Sequence, residues 1–155
     1  WWRRPVDAKD DGTEDQLILD EVALAEGKDY FRLGALSVSK DGRLLAYSVD
    51  DNGSERYPAR VTALATGEHL PDEIPGTLSA LVWVAGDTGL IYSLANEQWR
   101  TDNARLHWLG KPLEDDVELY HEDDEGFRVS ASLSADWSSQ SGRAKSACSR
   151  RTPWT

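Results

Sequence analysis

Cysteine, methionine and long apolar runs are what this sequence lacks. Its 155 residues include one cysteine, Cys148, and no methionine. A single thiol closes no internal disulfide, so a fold must rest on packing and hydrogen bonds. That usage fits a reducing compartment, and a cytoplasmic location is the expectation. No stretch is long and apolar enough to span a bilayer as a helix, and the start has no basic-then-apolar signal pattern. The chain opens Trp1-Trp2 with no initiator residue, and we read it as part of a longer protein. Basic residues are also short, 17 against 28 acidic ones, for a net charge of −11. An excess of negative charge argues against nucleic acid or an anionic membrane surface as partner.

What the sequence does have is turn chemistry between short apolar runs. From Leu36 to Leu70 it reads LSVSKDGRLLAYSVDDNGSERYPARVTALATGEHL. Leu36-Ser37-Val38-Ser39 alternates, Leu44 to Val49 is almost continuously apolar, and Arg60 to Leu64 forms a third run. Asp41-Gly42 and Asn52-Gly53 stand between them, pairs that tolerate the positive φ a tight hairpin needs. Ala65-Thr66-Gly67-Glu68 turns the chain toward a fourth strand. The pattern predicts an antiparallel four-stranded meander, the shape of one propeller blade.

The pattern then repeats. Leu81-Val82-Trp83-Val84, Leu90 to Leu94, Ala104 to Leu109 and Val117 to Tyr120 predict a second set of four strands. Val38, Asp41 and Tyr47-Ser48 return as Val82, Asp87 and Tyr92-Ser93, about 44–45 residues on, a period that suits one blade. Phe127 to Leu133 opens a third unit. Before the repeat, Trp1 to Arg4 reads as a strand end, Asp7 to Asp15 as an exposed turn and Gln16 to Asp20 as a short strand. Glu21 to Gly27 has the helix formers and glycine stop of one or two helical turns. Pro71 to Thr77 reads as a connection. From Trp137 the chain is Ser- and Arg-rich with no strand pattern, and a shifted reading frame would account for it.

The fold class expected is therefore all-β. It is a partial β-propeller of two four-stranded antiparallel blades plus the start of a third, with a short helical turn near the N-terminus. Residues 1–34 form a lead-in and residues 35–136 the partial propeller, with blades at about 35–75, 78–122 and 127–136. Residues 137–155 form a disordered or aberrant tail. Leu44-Leu45-Ala46-Tyr47 and Leu90-Ile91-Tyr92 are apolar enough for burial on both sides. Two blades and a stub are thus expected to leave an apolar face open at each end.

Candidate chemistry is sparse. A nucleophile elbow needs Gly-x-Ser-x-Gly on a strand-to-helix turn, and no such pentad occurs. Ser139-Gln140-Ser141-Gly142 is the nearest sequence, and no strand precedes it. His69, His107 and His121 fall in a blade connection, a strand and an acidic loop, where a surface or hydrogen-bonded role is preferred to a catalytic base. Asp115, Asp116, Glu118 and Glu122 to Glu125 fail the EF-hand frame, and a solvated loop is preferred to a cation site. Three histidines and one cysteine offer no close spacing for zinc. Tyr47, Trp83, Tyr92 and Trp108 lie in expected strands and are read as core. No catalytic, cofactor-binding or metal residue is assigned, and no cofactor is expected.

These motifs carry a family resemblance. Ala23-Leu24-Ala25-Glu26-Gly27-Lys28-Asp29-Tyr30-Phe31 is followed by Val38-Ser39, then Asp41-Gly42-Arg43-Leu44-Leu45-Ala46-Tyr47-Ser48-Val49-Asp50. Leu64-Ala65-Thr66-Gly67-Glu68, Leu106-His107-Trp108-Leu109-Gly110 and Tyr120-His121-Glu122 come later in the same order. The sequence resembles the N-terminal propeller of the prolyl oligopeptidase family, nearest to the oligopeptidase B (protease II) branch, over roughly Trp1 to Asp136. Lys40, Ala63 and everything after Asp136 depart from that pattern. The resemblance implies a serine-type oligopeptidase that hydrolyses short peptides after Arg/Lys or Pro. It also implies that the propeller gates substrate by size over a C-terminal α/β-hydrolase domain carrying the Ser-Asp-His triad. On that reading this chain lacks the catalytic domain, is inactive alone, and has short peptides and the hydrolase domain as partners, with no nucleic acid and no membrane. The alternative is a non-enzymatic β-propeller binding scaffold that shares only the blade repeat.

Overall fold

In the computed structural model, which describes residues 1–78, 80–132 and 152–153, the chain begins with two short strands. β1 (Trp2–Arg3) pairs antiparallel with β2 (Gln16–Leu17), setting Trp2 opposite Leu17. The acidic stretch between them is a run of turns, as its composition demands. Helix α1 (Glu21–Ala25) follows, and its boundary has a local cause. The Asp20 carboxylate accepts from the Val22 and Ala23 amides, which have no partner inside a first helical turn.

The first sheet takes its strands in chain order: β3 (Arg32–Val38), β4 (Leu44–Asp50), β5 (Tyr57–Ala63) and β6 (His69–Thr77). Gly42, at φ 71°, supplies the left-handed residue that the β3–β4 turn requires. The Asp50 side chain organises the next turn by accepting from the amides of Asn52, Gly53, Ser54 and Glu55. β6 corrects one expectation, because Pro71 and Pro75 lie inside a strand rather than in a connection. They are tolerated there because β6 is the edge of its sheet, where a missing N–H breaks no ladder.

The second sheet repeats the plan with β7 (Val82–Trp83), β8 (Gly89–Tyr92), β9 (Asn103–Trp108) and β10 (Val117–His121). A 3-10 turn at Leu113–Asp115 leads into β10. The third unit opens with β11 (Phe127–Arg128), whose backbone pairs with β12 (Thr152–Pro153). Leu133 and residues 134–151, including most of the expected tail and Ser139 to Gly142, lie outside the described residues.

Three apolar clusters follow from this order. The central one lies between the two sheets and joins Ala46, Val61 and Ile74 to Trp83, Leu90 and Tyr92. Each large side chain withdrawn from water there contributes about 1.5–3 kcal/mol before entropy is counted. The other two clusters correct the expectation of open outer faces. Leu45, Tyr47 and Val49 of β4 are covered by Leu19, with Ile18, Leu24 and Phe31 packed beside it. The lead-in is anchored by the Trp1 ammonium on the Leu19 carbonyl (2.6 Å) and by Gln16 on the Leu64 carbonyl (2.9 Å). On the far side, Val82, Val84 and Ile91 pack with Val129 and Ala131 of the third unit. Strands apolar on both faces have thus found a cover on both faces.

Candidate functional site: the junction between the blades

The side chains that sequence reasoning could not assemble meet between the sheets. His107, on β9, is 1% exposed and stands between two carboxylates. Its Nδ1 is 2.8 Å from Asp116 Oδ1 and its Nε2 is 3.0 Å from Asp72 Oδ1. Asp116 sits just before β10, whereas Asp72 belongs to β6 of the other sheet. Both contacts are hydrogen bonds when each ring nitrogen carries a proton, since a carboxylate offers only acceptors. The Gly110 amide also donates to Asp72 Oδ1 (2.5 Å), and the Tyr92 hydroxyl donates to Asp116 Oδ2 (2.7 Å). Burial first, and then the Asp116 carboxylate, push the Tyr92 phenol above its ordinary range. Tyr92 therefore acts as a hydrogen-bond donor at neutral pH.

The junction has other ties. Trp83 Nε1 donates to the Ser37 carbonyl at 2.9 Å, so the largest buried side chain of the second sheet is pinned to the first strand of the other. The Asp87 carboxylate accepts from the amides of Lys40 and Asp41, both at 3.0 Å, capping the first sheet's turn from the second sheet's turn. Asp41 and Asp87 are the repeated turn acids of the sequence. The first serves its own turn, accepting from Ser39 and Arg43, and the second serves its neighbour's.

A buried arginine holds the acidic loop. Arg100 donates through one nitrogen to the carbonyls of Glu122 (3.2 Å), Asp124 (3.0 Å) and Phe127 (3.0 Å). Glu122 is buried, with the Tyr120 hydroxyl 2.8 Å from its carboxylate. The solvated-loop expectation thus holds for exposed Asp123 and Glu125 and is corrected for Glu122 and Asp116, whose side chains are withdrawn from water. Their signal was faint: each follows or precedes an apolar strand end in a run that reads as uniformly acidic. Among the described residues, no group of three or more His, Cys, Asp or Glu comes together as a metal-holding cluster.

The remaining candidates separate. His69 pairs with Thr62 Oγ1 across β5 and β6 (2.9 Å) on an exposed surface, and His121 is half-exposed near Glu118 and Asp123. Tyr47, Trp83 and Tyr92 are core residues as expected. Trp108 is not, being 40% exposed on the last residue of β9. Among the described residues no serine hydroxyl meets a histidine ring. The histidine that the junction does capture is the one whose two nitrogens are both occupied by carboxylates.

The sequence profile described as prolyl oligopeptidase, N-terminal beta-propeller domain, matches residues 1–148. The chain belongs to that family. Its two sheets are propeller blades, and the all-β, propeller-type architecture is shown. The dipeptidyl aminopeptidase BI of Pseudoxanthomonas mexicana is 37% identical over 132 residues, covering 84% of this chain and 18% of that protein. Protease 2 of Moraxella lacunata is 30% identical over 126 residues, 80% of this chain and 18% of the relative. The structure of oligopeptidase B from Leishmania major superposes with a TM-score of 0.82 at 28% identity, covering 87% of this chain and 19% of the other. The blades described here thus span less than a fifth of the length of these relatives.

Proposed function

We propose that this chain is the propeller portion of a serine-type oligopeptidase that hydrolyses short peptides after Arg/Lys or Pro. The propeller restricts access by size, and a C-terminal α/β-hydrolase domain of the same protein supplies the chemistry. The family supports a serine peptidase as the parent. The observation that carries the gating role is the buried Asp72–His107–Asp116 bridge between adjacent blades. A gate that selects by size must keep a fixed aperture, and blades joined by buried side-chain hydrogen bonds do not part at low cost. On this reading the nucleophile belongs to the hydrolase domain, in keeping with a sequence that holds no Gly-x-Ser-x-Gly pentad.

The test uses the full-length parent and a ladder of fluorogenic substrates ending in Arg, Lys or Pro, from dipeptide to folded protein. Hydrolysis is expected for short peptides and to fall steeply with substrate size, while this chain alone hydrolyses none. Equal rates on short peptides and on a folded protein of the same cleavage sequence would overturn the gating role.

A further inference from the structure

The turn between β4 and β5 holds a chemistry that peptide hydrolysis does not use. Asn52 is followed by Gly53, and both are exposed, so water reaches them. An asparagine next to a glycine can cyclise on its own chain. The amide nitrogen of Gly53 attacks the side-chain carbon Cγ of Asn52, and glycine has no side chain to obstruct the approach. The two atoms belong to adjacent residues, so no distant packing has to bring them together.

Two hydrogen bonds act on this pair in opposite senses. The Ser54 amide donates to Asn52 Oδ1 at 2.9 Å, which draws charge from the carboxamide and stabilises the oxyanion that attack creates. The Gly53 amide donates to Asp50 Oδ1 at 2.9 Å, which holds the attacking nitrogen and its proton. Asp50 is fully buried and also accepts from the amides of Asn52, Ser54 and Glu55, so its carboxylate is fixed in place. The other asparagines lack part of this arrangement. Asn96 Oδ1 accepts in the same way from the Gln98 amide at 3.0 Å, but Glu97 follows it and its side chain stands in the way. Asn103 lies in β9 and is followed by Ala104.

We infer that Asn52 is a site of spontaneous conversion to isoaspartate, and that Asp50 slows the reaction by holding the Gly53 amide. Bond formation between Gly53 N and Asn52 Cγ expels Nδ2 as ammonia, and the proton of the attacking nitrogen leaves with it through solvent. One water molecule then opens the cyclic imide, adding at Cγ to give aspartate or at the main-chain carbonyl to give isoaspartate. The sum is asparagine plus water giving acid plus ammonia, with no oxidant or reductant. The isoaspartyl product puts an extra carbon into the main chain of the turn and a new negative charge beside Asp50 and Asp51. The lead-in docks on the same turn, through the Lys28–Asp51 ion pair and the Tyr30 ring beside Gly53.

The experiment incubates this chain near neutral pH, folded in buffer and unfolded in urea. Tryptic peptides are followed by mass and by the separate elution of aspartyl and isoaspartyl forms. Asn52 is expected to convert in both states, roughly tenfold more slowly in the folded one, the value of one hydrogen bond. Asn96 and Asn103 are expected to stay intact over the time in which Asn52 converts. Asp50→Asn, with its folded fraction read by circular dichroism, is expected to convert faster than the natural chain when folded and at the same rate in urea. Should that variant fail to fold, the two states of the natural chain still decide. Equal Asn52 rates in the two states, or a folded chain still intact once the unfolded one has fully converted, would overturn the inference. So would conversion no faster at Asn52 than at Asn96, or a folded Asp50→Asn as slow as the natural chain. None of these readouts involves peptide hydrolysis, so they stand or fall apart from the proposed function.

Discussion

Asp72 and His107 join adjacent blades across 3.0 Å, with side chains 3% and 1% exposed. Removing the ring from that position strands two carboxylates in a site that water does not reach. His107→Ala is expected to destabilise the chain by about 1–3 kcal/mol, the range for leaving a buried polar group without its hydrogen-bond partner. Urea unfolding reads this directly, and a loss below about 1 kcal/mol would show the bridge to be idle.

Trp83 tests the same junction through an apolar residue. Trp83→Phe keeps most of the packing and removes the donor to the Ser37 carbonyl, with an expected cost of about 1 kcal/mol plus a small void. Trp83→Ala is expected to cost about 3–5 kcal/mol. Similar midpoints for the two variants would mean that the indole is not packed between the blades.

The acid side of the stability curve belongs in part to Asp50. Burial pushes its carboxyl up, but the amides of Asn52, Glu55, Gly53 and Ser54 together outweigh burial and hold it below the ordinary value. A carboxyl depressed on folding stabilises above the unfolded value of about 3.9, and that contribution is lost as pH falls through the folded value. Asp50→Asn is expected to be less stable at pH 7 and to show a shallower decline in acid. Melting curves from pH 7 to pH 3 report both, and parallel acid limbs for variant and natural chain would remove Asp50 from the account.

Gly89 is required for space rather than for φ. A Cβ built there would collide with the His107 carbonyl oxygen and stand 3.2 Å from the Trp108 ring. Backbone cannot move aside without disturbing the β8–β9 ladder, so Gly89→Ala is expected to cost about 1–3 kcal/mol. Hydrogen exchange would show faster opening of β8 and β9 first, and unchanged protection there would contradict the clash.

The blades were legible because local chemistry wrote them. Asp41-Gly42 and Asn52-Gly53 mark hairpins whose geometry depends on a few adjacent residues, and the Tyr47-Ser48 and Tyr92-Ser93 repeat gives the period. β6 was misjudged because Pro71 and Pro75 look like a connection until the edge position of the strand is known. The His107 junction was not legible at all. Asp72 lies 35 residues before His107 and all three residues are ordinary in type, so only the packing of one blade on the next brings Asp72 to the His107–Asp116 pair. Trp108 shows the converse, an aromatic at a strand end that stays 40% exposed.

A double-mutant cycle on Asp72 and His107 tests most directly whether the two blades are one locked unit. Asp72→Ala, His107→Ala and the double variant are unfolded in urea beside the natural chain. The bridge predicts that the double variant costs less than the sum of the singles, by a coupling of about 1–3 kcal/mol. Additivity within about 0.5 kcal/mol would contradict the account, because two residues that share a buried hydrogen bond do not act independently.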